Sequence, residues 1–317
     1  MRECYSTIRE RHYRRECGDV TEHRPGLVQA VPDHRKRARR MEGLGIELLS
    51  VFGMPPVAFV DLAADLGCRY ISTALTSNPY NPSIYPPFSL RDEPTLRREM
   101  IAAMRDRDVS ISLGEGMVVR EGADIQDRVG DLEIMAELGV RRINTVSLDP
   151  DLDRSIDQFG ILAENAASLG METTVEASPG LTVPDLPSAL DVVRQVGRPD
   201  FRLLVDTMHI VRSGSGPDDL ARLDPGVIGY IQLSDAPLVP AIPHYMEEAM
   251  FERMVPGTGE LPLLDVLEVL PRDLVIGLEI PLRAEAMAGI GPHERVGRCV
   301  DAARGLLARL ADRPHQA

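Results

Sequence analysis

Arg202-Leu203-Leu204-Val205-Asp206-Thr207-Met208-His209 is a short apolar run that ends abruptly in a carboxylate and, three residues later, a histidine. An apolar run of this length bounded by polar residues reads as a strand buried on both faces. Working outward, three further runs end in the same way: Glu176 closes Thr173-Thr174-Val175-Glu176, Gln232 interrupts Gly229-Tyr230-Ile231-Gln232-Leu233, and Glu279 follows Ile276-Gly277-Leu278. The intervals of 30, 26 and 47 residues each fit one strand-helix unit, the last being lengthened by a loop over 236–260. Four polar side chains near the ends of four successive parallel strands can meet at one point only if the sheet closes.

The rest of the chain supports that reading. Eight β-rich runs, at 46–51, 70–75, 109–113, 142–148, 172–177, 202–206, 227–234 and 274–280, alternate with helical patterns such as 56–66, 93–105, 125–138, 155–169, 186–196, 261–269 and 293–310. Gly67, Gly139, Gly170 and Gly197 follow the last apolar turn of four of these helices, as left-handed capping residues should. Alternation of this kind predicts a parallel sheet covered by helices. The 277 residues from 41 to 317 suit a single (β/α)₈ TIM barrel, with no linker dividing them. An open doubly wound sheet would call for a glycine-rich turn after the first strand, and Ser50-Val51-Phe52-Gly53-Met54-Pro55-Pro56 is no such turn.

Residues 1–40 differ from this body. They hold 11 of the 35 basic and 6 of the 49 acidic residues, show no period, and end in Arg35-Lys36-Arg37-Ala38-Arg39-Arg40. They read as a poorly ordered basic extension, either a docking arm or an upstream stretch of reading frame. The body is left with 24 basic against 43 acidic residues, a charge of −19. A surface of that sign disfavours nucleic acid and does not discourage divalent cations. No apolar stretch is long enough to cross a membrane and no secretory signal opens the chain, so a cytoplasmic location and no membrane partner are expected. Cys4, Cys17, Cys68 and Cys299 show no paired spacing and read as reduced thiols. The single lysine, Lys36, lies in the extension, which leaves Schiff-base chemistry without a candidate in the body.

Three carboxylates gathered without a cation would repel one another, and a metal removes that cost. An all-oxygen set of Glu176, Asp206, Glu279 and the Gln232 amide is hard in character and suits one Mn²⁺ or Mg²⁺ ion, with cobalt and zinc as lesser options. The competing reading is a buried salt bridge to an arginine for each acid, and a hydrogen-bonded core amide for Gln232.

Residues 41–317 resemble the xylose isomerase-like barrel superfamily, whose members are usually called sugar phosphate isomerases/epimerases. The resemblance rests on Val205-Asp206-Thr207-Met208-His209, on Ile231-Gln232-Leu233-Ser234-Asp235-Ala236-Pro237, and on Arg253-Met254-Val255-Pro256-Gly257-Thr258-Gly259-Glu260, in that order. It implies that Glu176, Asp206, Gln232 and Glu279 hold the metal, that Glu176 and Glu279 also act as acid and base, and that His209 and Arg253 contact substrate oxygens. Glu115, ending the third strand, and His244, in the same long loop as Arg253, are further candidates for substrate contact. Arg212 is the one nearby basic candidate for a phosphate handle. Asn78 and Tyr80 lie in a loop that could shape the pocket.

The expected activity is isomerisation or epimerisation of a small polyhydroxylated carbonyl compound by metal-assisted proton transfer. A dehydratase of the same barrel type is the alternative, and a non-catalytic binding protein a more distant one. A nuclease with a trinuclear zinc cluster would need more histidines than His209, His244 and His293, to which the body adds only His315 at its tail. Proteins resembling this one are usually dimers or tetramers, and the partner expected is a small-molecule substrate.

Overall fold

The computed structural model describes residues 43–77 and 85–313. Residues 1–40, read as a basic extension, and the loop residues Asn78 and Tyr80 lie outside those described.

Eight strands form a closed, wholly parallel barrel in sequence order: β1 (Leu44–Ile46), β2 (Tyr70–Thr73), β3 (Ser110–Val119), β4 (Arg142–Ser147), β5 (Glu172–Glu176), β6 (Phe201–Asp206), β7 (Ile228–Leu233) and β8 (Ile276–Leu278), with β8 pairing back onto β1. The core lies between the strands and an outer ring of helices, where faces such as Phe159, Leu162 and Ala166 are fully buried. Gly67, Gly139, Gly170 and Gly197 all take positive φ, between 66° and 78°, so each of these helix ends is closed by a residue without a Cβ.

Strands two to eight match their expected runs, except that β6 begins one residue earlier, at Phe201, and β3 extends to Val119 through an irregularity between Gly114 and Met117. The first is corrected. Only Ile46 of the expected 46–51 run is in the ladder, β1 begins at Leu44, and Leu48–Val51 is a 3₁₀ turn closed by Phe52 at φ 51°. Leu48, Ser50 and Val51 are nonetheless buried, which is why the run resembles a strand in sequence. The 3₁₀ turn meets the end of β8 through a side chain: Ser50 Oγ donates to the Leu278 carbonyl at 2.7 Å and accepts from the Ile280 amide at 2.8 Å.

Register sets the height of the polar residues. Asp206 pairs with Gln232, and Gln232 with Gly277, so β6, β7 and β8 reach the same level at the C-terminal mouth. The loop after β7 is anchored by Asp235, whose carboxylate accepts the amides of Ala236, Gly257, Gly259 and Leu261 at 2.8 to 3.2 Å. This explains the Pro-Gly-Thr-Gly stretch. A Cβ on Gly259 would lie 2.4 Å from Asp235 Oδ1.

The barrel interior contains one exchange of volume. Gly277 on β8 leaves the space that Glu47, just past β1, fills: a Cβ there would lie 1.6 Å from Glu47 Oε1 and 2.9 Å from the Tyr230 hydroxyl. Gly277→Ala is therefore expected to destabilise the barrel by about 3 kcal/mol or more, measured by urea unfolding. The double variant Glu47→Ala/Gly277→Ala should recover much of the loss, and purely additive effects would contradict a shared space.

Candidate active site

Asp206 closes β6 and caps the helix Thr207–Arg212, its Oδ1 accepting from the amides of Met208 and His209 at 2.8 and 3.0 Å. Its Oδ2 takes Arg253 Nη1 at 2.5 Å. Burial opposes ionisation of this carboxyl, but Arg253 and then His209 hold it down at about 2. The Arg253 side chain is itself buried, and every contact commits it: Nε donates to the Ala249 carbonyl at 2.7 Å, Nη1 also to Ser234 Oγ at 3.1 Å, and Nη2 meets Glu279 Oε2 at 2.7 Å. The loop can supply this cation because the Met254 and Asp235 backbones pair beside the end of β7.

On the other side of Asp206, one ligand atom from each of Glu176, Asp206 and His209 lies within 4.8 Å of the others. His209 Nε2 is 3.3 Å from Glu176 Oε1, and its Nδ1 is 2.5 Å from the Tyr245 hydroxyl. Glu176 Oε2 accepts from Asn144 Nδ2 at 2.7 Å, and the same amide is 3.4 Å from Glu115 Oε2. Gln232 Nε2 donates to Glu279 Oε1 at 3.2 Å, while Gln232 Oε1, fully buried, has no partner.

Glu47 is a fifth carboxyl in the group. It is fully buried, accepts the Tyr230 hydroxyl at 2.8 Å, and leaves Oε2 unpartnered. Burial pushes it up to about 7, with the Glu176 charge adding to the rise and the Tyr230 hydroxyl opposing it. Burial likewise raises Glu115 and Glu279 well above the usual carboxylate range, each pushed further by neighbouring acids, although Arg253 counters the rise at Glu279.

Five carboxyl groups against one buried guanidinium leave an excess of negative charge, and the Gln232 oxygen is a buried acceptor in want of a partner. These residues fit a divalent cation. Glu176, Asp206 and His209 would hold it, with Gln232, the strand neighbour of Asp206, offering its free Oε1. His209, expected to contact substrate, thus joins the ligand cluster, while Glu279, expected as a ligand, lies outside it and is paired with Arg253 and Gln232.

The structure thus brings Glu176, Asp206, Gln232, Glu279, His209, Arg253 and Glu115 into one network. It does not bring in His244, a correction to the sequence reading: this residue is exposed at the start of the helix Tyr245–Phe251, and helical geometry turns Tyr245 inward instead. Arg212 is corrected too. Its guanidinium pairs with Glu248, both side chains buried, and donates to the Pro237 and Leu238 carbonyls, so it is not free to hold a phosphate. The salt-bridge alternative for the acids holds for Asp206 and Glu279 alongside the ligand cluster. Sequence reasoning missed Glu47, Asn144 and Tyr245. The first two had a signal, a polar residue in or just past a buried strand.

A closed barrel with acids and a histidine gathered at the C-terminal ends of its strands is the architecture of (β/α)₈ enzymes. The profile described as xylose isomerase-like TIM barrel matches residues 60–295, and the chain belongs to that family. No curated protein sequence matches the chain. Among solved structures, the zinc-bound IolI protein superposes with a TM-score of 0.69 at 18% identity, over 86% of this chain and 100% of that one. D-psicose 3-epimerase from Clostridium cellulolyticum H10, determined with D-tagatose, gives 0.63 at 15% identity over 84% and 99%. The probable 3-DHS dehydratase AsbF of Bacillus anthracis gives 0.60 at 16% identity over 86% and 100%. Among the described residues no helix is long and apolar enough to cross a membrane, and Cys68 and Cys299 are free thiols.

Two outcomes test this electrostatic picture. Arg253→Ala strands two buried carboxylates and should cost about 3–5 kcal/mol in urea unfolding, whereas a loss below about 1 kcal/mol would rule out the clamp. In metal-stripped protein the folded state keeps the Glu47 proton up to about pH 7, while the unfolded chain releases it near 4.5. More protons are bound to the folded state in that window, so stability falls as pH rises through it. Glu47→Gln should flatten that fall, and unchanged slopes in urea unfolding at about pH 5 and 7.5 would contradict the assignment.

Proposed function

We propose that this chain is a divalent-metal-dependent isomerase or epimerase of a small, uncharged polyhydroxylated carbonyl compound. The observation that carries the reading is the convergence of Glu176, Asp206 and His209, with an unpartnered oxygen on Gln232, the strand neighbour of Asp206. Oxygen donors suit Mn²⁺ or Mg²⁺, and the His209 nitrogen brings Co²⁺ and Zn²⁺ within the range of this set. The ion would polarise a carbonyl or adjacent hydroxyl and so acidify the neighbouring C–H bond.

The chain's own groups supply the proton transfers. Glu176 is turned by Asn144, which occupies Oε2 and leaves Oε1 toward His209 as the base that lifts the proton from carbon. Glu279, held by Arg253 and Gln232, stands ready to hold and return a proton at the same or the adjacent carbon. His209, its Nδ1 fixed by the Tyr245 hydroxyl, keeps Nε2 turned to the ligand cluster.

An uncharged substrate follows from the commitments of the cations. Arg253 serves two carboxylates and Arg212 serves Glu248, while the surrounding charge is negative. The same sign argues against nucleic acid as a partner, and a homodimer or homotetramer is proposed from the resemblance alone. A dehydratase acting on a carboxylate-bearing substrate would need a free cation that neither arginine offers.

The test is incubation in D₂O with Mn²⁺ and a panel of neutral ketoses and inososes, their phosphate esters, and dehydroshikimate. Solvent deuterium in a rearranged neutral product is expected, with kcat reduced at least about 100-fold in Glu176→Gln and Glu279→Gln. Loss of water from the product, or full activity in both variants, would sink the reading.

A further inference from the structure

Glu279 follows directly on a strand whose neighbour stops short of it. β1 pairs with β8 only as far as Ile46 and Leu278. Were the parallel ladder to continue, Glu47 would face Glu279 with two bonds, its amide donating to the Leu278 carbonyl and its carbonyl accepting from the Ile280 amide. Only the first of these forms, at 3.1 Å. The Glu47 carbonyl instead accepts the Ser50 amide at 3.0 Å, because the chain has already turned into Leu48–Val51. Ser50 Oγ takes the place of that carbonyl: it accepts from the Ile280 amide at 2.8 Å and donates to the Leu278 carbonyl at 2.7 Å.

Those two groups belong to the peptide bonds on either side of Glu279, so one hydroxyl grips the backbone before and after the glutamate. The hydroxyl is itself held in place. Ser50 is buried, the Leu48 amide ties the turn to β2 by donating to Ser72 Oγ at 2.8 Å, and the turn closes on Phe52 in the left-handed region at φ 51°. A phenylalanine keeps that conformation only where its surroundings enforce it. Here the ring is buried and lies 5.3 Å from the Arg295 guanidinium carbon. A continued strand would satisfy the same two groups of β8 with main chain alone, so a strained turn and a buried hydroxyl call for a use beyond packing. Toward β7 the Glu279 amide makes a direct bond to the Leu233 carbonyl at 3.2 Å, and the carboxyl is fixed by Arg253 and Gln232. We propose that Ser50 is a positioning residue for Glu279, its hydroxyl setting the backbone from which the carboxyl is delivered to the substrate carbon. This rests on the reading of Glu279 as a proton-transfer group and adds to it the group that aims it.

The experiment has two readouts on the full chain, in wild type, Ser50→Ala, Glu279→Gln and the double variant. The first is turnover, with Mn²⁺, of the neutral ketose or inosose that wild type rearranges in D₂O. Ser50→Ala is expected to lower kcat about 10- to 100-fold, as a small misplacement of a reacting group does, with KM unchanged. The double variant should match Glu279→Gln within about twofold, because Ser50 acts only through the glutamate. The second readout needs no substrate: in metal-free protein labelled with ¹³Cδ-glutamate, the resonance that Glu279→Gln deletes should shift or broaden in Ser50→Ala, while the one that Glu176→Gln deletes stays in place. Wild-type kcat in Ser50→Ala, a double-variant loss equal to the product of the single losses, or an unmoved Glu279 resonance would overturn the proposal. Wild type that turns over no neutral ketose or inosose would instead overturn the isomerase reading, and the resonance alone would then decide whether Ser50 positions Glu279. Should Ser50→Ala fail to fold by circular dichroism, Ser50→Cys keeps the shape with a weaker hydrogen-bonding group: a fall in kcat with a moved Glu279 resonance supports the proposal, and wild-type values overturn it.

Discussion

Mutual repulsion among Glu47, Glu115, Glu176, Asp206 and Glu279 is the constraint around which this barrel is arranged. Buried like charges cannot all ionise unless something compensates them. The chain supplies compensation in three forms: the Arg253 guanidinium between Asp206 and Glu279, amide and hydroxyl donors from Asn144, Gln232 and Tyr230, and protons retained by the raised carboxyls. Even so, the Gln232 oxygen and one Glu47 oxygen remain without partners. A core selected for stability alone would hold apolar residues here, so the residual imbalance identifies a site rather than a scaffold.

Each part of the site depends on a feature with no chemistry of its own. Parallel register levels Asp206 with Gln232 and Gln232 with Gly277. Asp235 gathers four backbone amides and so folds the loop that delivers Arg253. The buried Arg212–Glu248 pair ties the helix Thr207–Arg212 to the helix Tyr245–Phe251, and with it brings Tyr245 against His209. Arg212 and Asp235, polar residues close to the mouth, are therefore its structural supports and not groups that meet a ligand.

Much of this was legible in the sequence, for identifiable physical causes. Strands ending in Glu176, Asp206, Gln232 and Glu279 announced themselves because a polar side chain that closes an apolar run is costly to bury unless something meets it, and positive-φ glycines marked the helix ends. The first strand was misplaced because burial, which hydropathy reports, is shared by the ladder and the 3₁₀ turn after it. That displacement hid Glu47, which would have stood out as an acid at a strand end had the strand been placed correctly. His244 stood out because it shares the long loop with Arg253, whereas Tyr245 carried no signal of its own. Which of two adjacent loop residues faces inward is set by the helix that starts there, and nothing local to the sequence announced that helix.

Asp206 shows how far the site is assembled in advance. One of its oxygens caps the helix that carries His209, and the other holds the arginine that holds Glu279. The strand end, the helix start and the loop are thus locked to a single carboxylate, and His209 and Glu279 take their positions from it. Reorganising such a set on binding would cost energy at the moment of reaction, whereas groups fixed by backbone amides and a buried ion pair are already oriented. The stability given up by burying these charges is then the source of the preorganisation, since the contacts that neutralise the acids are the same ones that aim them.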